Sequence, residues 1–210
     1  MGKFSIPKAT LGRIPRYLNY LKELPLEEGA HISATTIAKE LNLGEVQVRK
    51  DLSMVSGAGR PKVGYEMQTL IRQLEDCLGY NQLTRAVLVG AGRLGRALLQ
   101  YDGFRHYGVE IAAAFDSNDH VLGVDSKTEI LPMHQFTAFC KEHNIELGII
   151  TVGEGSAQIV CDQMIQSGIA AIWNFAPCKL KVPDTILLQN ENLALSLAHL
   201  KTRLSYNQET

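Results

Sequence analysis

The chain has 210 residues, 45% of them hydrophobic and 20% charged, with a formal net charge of −1. That composition fits an ordinary globular protein, and no apolar run reaches the ~18 residues of a membrane-spanning helix, so no membrane partner is expected. Charge is unevenly divided: residues 1–65 hold ten Lys+Arg against six Asp+Glu, and the remainder holds eleven against sixteen. A basic front on an acidic body points weakly to a polyanionic partner for the front.

The start, Met1 to Pro7, lacks the apolar core of a secretory signal, which predicts a cytoplasmic protein. Next, Pro15 sits where a first helical turn tolerates it, and Ile14, Leu18, Leu21 and Leu24 recur at helical spacing before Gly29. Ser33 is a good N-cap for a short helix carrying Ile37, Ala38 and Leu41. After Asn42-Leu43-Gly44, the run Glu45 to Val55 completes the lengths of a helix-turn-helix. On this second helix Val48, Leu52 and Val55 share the inward face, Val46, Arg49, Lys50 and Ser53 point away, and Gln47 lies to one side. Arg and Lys suit phosphate or guanine, and Gln suits adenine.

The glycine-rich stretch Ser56 to Tyr65 predicts a loop or hairpin tip in the position of a wing. Its Gly59-Arg60-Pro61-Lys62 resembles the core of peptides that lie in the minor groove of A·T-rich DNA, which marks Arg60 and Lys62. From pattern alone two readings stand side by side: a DNA-binding winged helix, and a helical cap or dimerisation module with a solvated charged face. Met67 to Leu78 reads as a further helix.

From Leu83 onward strand and helix alternate. Arg85–Val89, Glu110–Phe115, Leu147–Val152 and Ala170–Phe175 read as strands, with helices opening at Leu94, around His134–His143 and over Ser156–Gln166. This is the pattern of an α/β, doubly wound parallel sheet. The tail from Asn192 to Leu204 reads as an amphipathic helix with no strand to follow it. Expected boundaries are 1–80 for the winged helix, 81–190 for the Rossmann domain and 191–210 for the terminal helix.

The segment Gly90-Ala91-Gly92-Arg93-Leu94-Gly95 follows a strand and opens a helix. There Gly90 permits a tight turn, Gly92 leaves room for a pyrophosphate, and Gly95 lets helix and strand approach. The helix N-terminus adds free N–H groups and the positive dipole end. Asp116 ends the next strand 26 positions after Gly90, against the usual ~20 for a ribose-binding acid; an insertion at Tyr101-Asp102-Gly103-Phe104 accounts for the delay. An acid there favours NAD(H) over NADP(H); Arg93 argues the other way or contacts the pyrophosphate. The bland alternative is a glycine turn capped by an Asp. No acid–base pair stands near the loop, and His106, His120, His134 and His143 are scattered, so neither catalytic residues nor a metal site is expected. Cys77, Cys140, Cys161 and Cys178 form no CxxC pair and read as core or surface thiols.

Four stretches together resemble the redox-sensing transcriptional repressor family Rex over nearly the full chain. They are Arg13-Ile14-Pro15-Arg16-Tyr17-Leu18, Gln47-Val48-Arg49-Lys50-Asp51-Leu52, Val89 to Leu98 with Tyr101 and Phe104, and Ile172-Trp173-Asn174-Phe175-Ala176-Pro177. The resemblance implies a homodimer with N-terminal winged helices, Rossmann domains, and a C-terminal helix exchanged between subunits. It implies binding to a palindromic operator and release when NADH replaces NAD⁺. It places Gly92 to Gly95 under the pyrophosphate, Asp116 on the adenine ribose, Tyr101 near the nicotinamide, and Val152-Gly153 along the pocket. Tyr101 as helix packing and Val152 as an ordinary strand residue are the plain alternatives.

The sequence departs from the family pattern at several places. The wing usually ends Arg-Gly-Val-Gly-Tyr, and here only Val63-Gly64-Tyr65 survives. Asn19 stands where the first helix often carries Arg, and Asn192 where some members carry an acid on the exchanged helix. Val152-Gly153 replaces a usual Val-Pro. These departures bear on operator sequence and NADH/NAD⁺ discrimination, and they leave open a paralogue whose DNA binding ignores redox state. A small NAD-dependent oxidoreductase is a further alternative, with little room for a substrate domain.

Overall fold

The computed structural model describes residues 6–25, 27–125 and 128–208. Residues 1–5, most of the segment read for a secretory signal, lie outside them. The chain divides into two compact units, Met1–Gln82 and Leu83–Thr210.

The first unit contains α1 (Lys8–Leu11), α2 (Ile14–Glu23), β1 (His31–Ile32), α3 (Ala34–Glu40), α4 (Glu45–Ser56), β2 (Tyr65–Glu66) and α5 (Met67–Leu78). Pro15 lies in the first turn of α2. Ser33 caps α3 by accepting the Thr36 N–H at 3.0 Å, and Glu66 caps α5 by accepting from Gln68 and Thr69. Between α3 and α4 the chain turns through Asn42 at φ 53, a left-handed conformation that asparagine tolerates. Leu18 and Leu21 of α2, Ile37 of α3, Leu52 of α4, and Leu70 and Leu74 of α5 meet in one core. β1 pairs antiparallel with β2, His31 opposite Glu66, and an Arg60–Gly64 bridge closes the hairpin ahead of them. The glycine-rich stretch is thus a short hairpin wing. Lys62 at its tip takes φ 64, an unfavourable conformation for a lysine.

The second unit contains β3 (Thr84–Val89), α6 (Arg93–Leu99), β4 (Val109–Asp116), β5 (Gly123–Asp125), β6 (Thr128–Pro132), α7 (Phe136–Glu142), β7 (Leu147–Ile150), α8 (Glu154–Gln166), β8 (Ala171–Asn174), β9 (Leu187–Asn190) and α9 (Leu193–Gln208). Among the described residues the sheet has seven strands in the order β5-β6-β4-β3-β7-β8-β9. All pairs are parallel except β5 with β6. Chain order reverses between β3 and β7, which makes that junction the topological switch point of a doubly wound sheet.

The sequence reading did not anticipate β5, β6 or β9. Leu187–Asn190 is an edge strand with Leu188 half-buried, so it has almost no alternation to read. The supposed insertion after Tyr101 is a 3₁₀ helix, Asp102–Tyr107.

One face of the sheet is covered by α7 and α8, together with the segment after β8 that inserts Leu180. The other face receives α6, and among the described residues nothing covers it over β7, β8 and β9. An apolar groove of about 480 Å³ lies there, lined by Phe104, Tyr107, Ile149, Trp173 and Leu187 among others. Asn192 caps α9 by accepting the Leu195 N–H at 2.9 Å. Along α9, Leu193, Leu197, Leu200 and Leu204 are all exposed. Among the described residues, the stripe expected of an amphipathic helix therefore has no cover within its own unit.

Candidate nucleotide cleft and nucleic-acid interface

The glycine loop joins β3 to α6 at the switch point. Gly90 takes φ 106, and a Cβ there would stand 2.8 Å from the Thr151 carbonyl carbon and the Val152 nitrogen. A Cβ on Gly95 would run into the Gly90 carbonyl oxygen, whereas one on Gly92 would meet nothing within 4 Å. Two of the glycines are thus required by the fold, and Gly92 instead keeps space open. The Thr151 hydroxyl donates to the Gly90 carbonyl at 2.7 Å, fixing the loop from the end of β7. The sequence reading missed Thr151; as the first polar residue after the strand on the other side of the switch point, it carried a topological signal.

A cleft of about 500 Å³ opens beside the loop, lined by Gly90, Gly92, Asp116, Thr151, Val152 and Ser156 among others. Ala91 and Gly95 are buried beneath it, and Arg93 is exposed on the first turn of α6. Asp116 Oδ2 accepts the Ala91 N–H at 2.7 Å, and Oδ1 accepts the Asn118 N–H at 2.9 Å. The carboxylate is therefore a loop clamp and a cleft wall at once. Tyr101 is not brought to this cleft. It follows the C-terminal end of α6 and lines a separate one of about 390 Å³ with Arg85, Arg105 and His143. The seven residues of α6 span about 10 Å at 1.5 Å each. Burial pushes the Cys140 and Cys161 thiols up to about 11, so both are neutral core groups.

In the first unit α4 buries Val48 and Leu52 and half-buries Val55, while Val46, Gln47, Arg49, Lys50 and Ser53 are exposed. Glu45 forms an ion pair with Arg49 one turn on. A cleft of about 350 Å³ gathers Ser33 and Thr35 from the start of α3, Arg49 from α4, and Arg60 and Lys62 from the wing. Cationic groups distant in sequence thereby converge where two hydroxyl side chains also meet, an arrangement suited to a phosphate backbone.

Asp51, on the same helix, is buried at 3% exposure. Its carboxylate accepts from both Nε and Nη2 of Arg13 at 2.7 and 2.8 Å, from the Tyr17 hydroxyl at 2.7 Å and from Thr10 at 2.9 Å. Burial alone would push this carboxyl up. The hydrogen bonds from Arg13, Tyr17 and Thr10 outweigh burial and hold it below its ordinary value. This network ties α1 and α2 to α4, and the sequence reading assigned it no role.

A winged helix-turn-helix unit followed by a doubly wound sheet with a glycine-loop cleft at its switch point defines the architecture of a nucleotide-responsive transcription regulator. Residues 5–53 match the family described as putative DNA-binding protein N-terminus, and residues 81–178 match the family described as CoA binding domain. A redox-sensing transcriptional repressor Rex of Bacteroides fragilis is 40% identical over 204 residues, covering 97% of this chain and 93% of its own. That of Treponema denticola is 39% identical, covering 95% and 96%. The crystal structure of RSP in complex with β-NAD⁺ and operator DNA matches with a TM-score of 0.89 at 31% identity, over 98% of this chain and 95% of that one. The structure of RSP with β-NADH matches at 0.86, over 98% and 97%. The chain belongs to the Rex family of redox-sensing transcriptional repressors. Among the described residues no helix is long and apolar enough to cross a membrane.

Proposed function

We propose that this chain represses transcription by binding a palindromic operator as a homodimer, and that it senses the NADH/NAD⁺ ratio through the Gly90–Asp116 cleft. The observation that carries the reading is the presence, on one chain, of a cationic helix-and-wing face and a dinucleotide-type cleft, in a family of redox-sensing repressors. Gln47, Arg49, Lys50 and Ser53 would face the major groove, with Arg60 and Lys62 on the flanking groove and phosphates. Gly92, Arg93, Leu94 and Gly95 would lie under the pyrophosphate, Asp116 on the adenine ribose, and Val152 along the wall. Tyr101 would stand toward the nicotinamide end, and in this chain it lines a separate cleft past the C-terminal end of α6.

The exposed leucine stripe of α9 and the bare apolar groove over β7 to β9 are complementary in character, and exchange of α9 between two subunits would cover both. Linkage supplies the switch: NADH must bind the arrangement incompetent for DNA more tightly than the competent one. Two recognition helices have to sit about 34 Å apart on successive major grooves, so a modest rotation ruins the fit.

Fluorescence anisotropy of operator DNA, titrated separately with NADH and NAD⁺, tests the proposal. Release by NADH alone supports it. Binding indifferent to both nucleotides favours a redox-insensitive paralogue, a reading that has one observation behind it: the Asn192 side chain is engaged as the cap of α9 and carries no charge.

A further inference from the structure

Val46 is 64% exposed in the first turn of α4. At about 100° of rotation per residue it points roughly opposite the mean direction of the inward Val48, Leu52 and Val55, and so stands at the centre of the outer face. Arg49 lies about 60° to one side of it and Lys50 about 40° to the other. Ser53 falls nearly in line with it two turns on, its hydroxyl turned back to the Lys50 carbonyl at 2.8 Å. The middle of a cationic helix face is therefore held by an isopropyl group that adds little to the core.

A lone exposed valine on an ordinary surface needs no explanation. The first turn of a recognition helix is different, because its side chains reach the base edges of the major groove. The one methyl group that the base edges present there is the thymine 5-methyl. Cytosine carries only a hydrogen at that C5 position, so a valine seated there loses a methyl contact, and its N4 amine stands where thymine has the O4 acceptor. Glu45, the residue before, is engaged by Arg49 and so is drawn to the side rather than to the floor of the groove.

Resting on the operator-binding reading above, we propose that Val46 is a specificity-determining residue that selects thymine by packing on its 5-methyl group. Arg49 and Lys50 flank it and hold the helix at that depth through phosphate or guanine.

Duplexes selected from a randomised library by the full-length protein provide the probe. Each thymine of the selected half-site is replaced in turn by deoxyuridine, which removes only the methyl group. At one thymine the wild type is expected to lose roughly three- to fivefold in affinity per half-site, the scale of one buried methyl-sized group. Val46→Ala is expected to bind the thymine and deoxyuridine duplexes equally, and Val46→Thr, which keeps one methyl, to retain part of the difference. Because Val46 is exposed, the variants should melt with the wild type. Deoxyuridine costing Val46→Ala as much as the wild type at every position, or costing neither, overturns the inference while operator binding stands. If the library yields no enriched duplex, the operator-binding reading fails first, and this inference with it.

Discussion

The Tyr17 hydroxyl donates to the Asp51 carboxylate at 2.7 Å, joining the interior of α2 to the helix whose outer face carries Arg49 and Lys50. With Arg13 bidentate on the same carboxylate, the orientation of α4 is set by a buried charge as well as by apolar packing. Buried charge pairs specify geometry when every lone pair is engaged, and are costly when one partner is removed.

Asp51→Asn should therefore destabilise the first unit. Loss of a buried partner costs roughly 3–5 kcal/mol, and the lower end applies because Arg13 is 23% exposed. Urea unfolding of the full chain, followed by circular dichroism, measures the shift. NADH affinity should be unchanged. A midpoint equal to wild type would mean that packing alone positions α4.

The same network sets a pH window with two edges. A folded-state carboxyl held below its ordinary value stabilises the fold above that value, and the contribution is lost as pH falls through the folded-state pKa. Tyr17 acts at the alkaline edge: burial, then its hydrogen bond to Asp51, pushes the phenol up to about 12. Its contribution is full below pH ~10 and is lost as pH rises through ~12. Unfolding midpoints measured across pH should show both edges; Tyr17→Phe should abolish the alkaline one and, by removing one of the donors that hold Asp51 down, weaken the acid one and move it to higher pH.

Gly92 and Gly95 separate ligand from fold. Gly92→Ala should melt within ~0.5 kcal/mol of wild type and yet lose about tenfold or more in NADH affinity, or 1.4 kcal/mol. Gly95→Ala should cost about 1–3 kcal/mol through overpacking against the Gly90 carbonyl. Thermal melting beside an NADH fluorescence titration gives both readings. Ordinary affinity in Gly92→Ala would move the pyrophosphate off this face.

Asp116 has two jobs that a pair of variants can split. Asp116→Asn keeps an oxygen to accept the Ala91 N–H but loses the charge, whereas Asp116→Ala loses both. The Asn variant should melt near wild type and narrow the preference for NADH over NADPH. The Ala variant should lose stability as well. An unaltered cofactor preference in both would leave Asp116 a clamp only.

Leu197→Glu with Leu200→Glu places two carboxylates on the α9 stripe. A monomer by light scattering, with the circular dichroism of each unit retained, is the expected result. Persistence of a dimer would place the interface elsewhere.

Much of this molecule is legible in its sequence because local signals agree with global ones. Gly90 ends an apolar strand and Gly95 lies in the first turns of the helix that follows, and for these two the coordinates show the close approach the sequence implies, while Gly92 faces open space. The inward set Val48 and Leu52 follows from helical periodicity alone. What escapes has no periodicity. Asp51 reads as one more surface charge, because its partners Thr10, Arg13 and Tyr17 lie more than thirty positions away. β9 is an edge strand with one half-buried residue, and Tyr101, assigned by its position in a family pattern, lines a cleft of this chain other than the one that Gly92 and Asp116 line.

The groove over β7 to β9 has one more consequence, which is optical. Trp173 is the chain's single tryptophan, and its ring lines that groove, 4.5 Å from Phe175 and 5.8 Å from Phe104. Its indole N–H donates to Glu191 at 3.1 Å, just before α9 begins. Whatever seats on the groove removes water from this one fluorophore, so the unlabelled protein reports occupancy of its own sheet face by the colour of its emission.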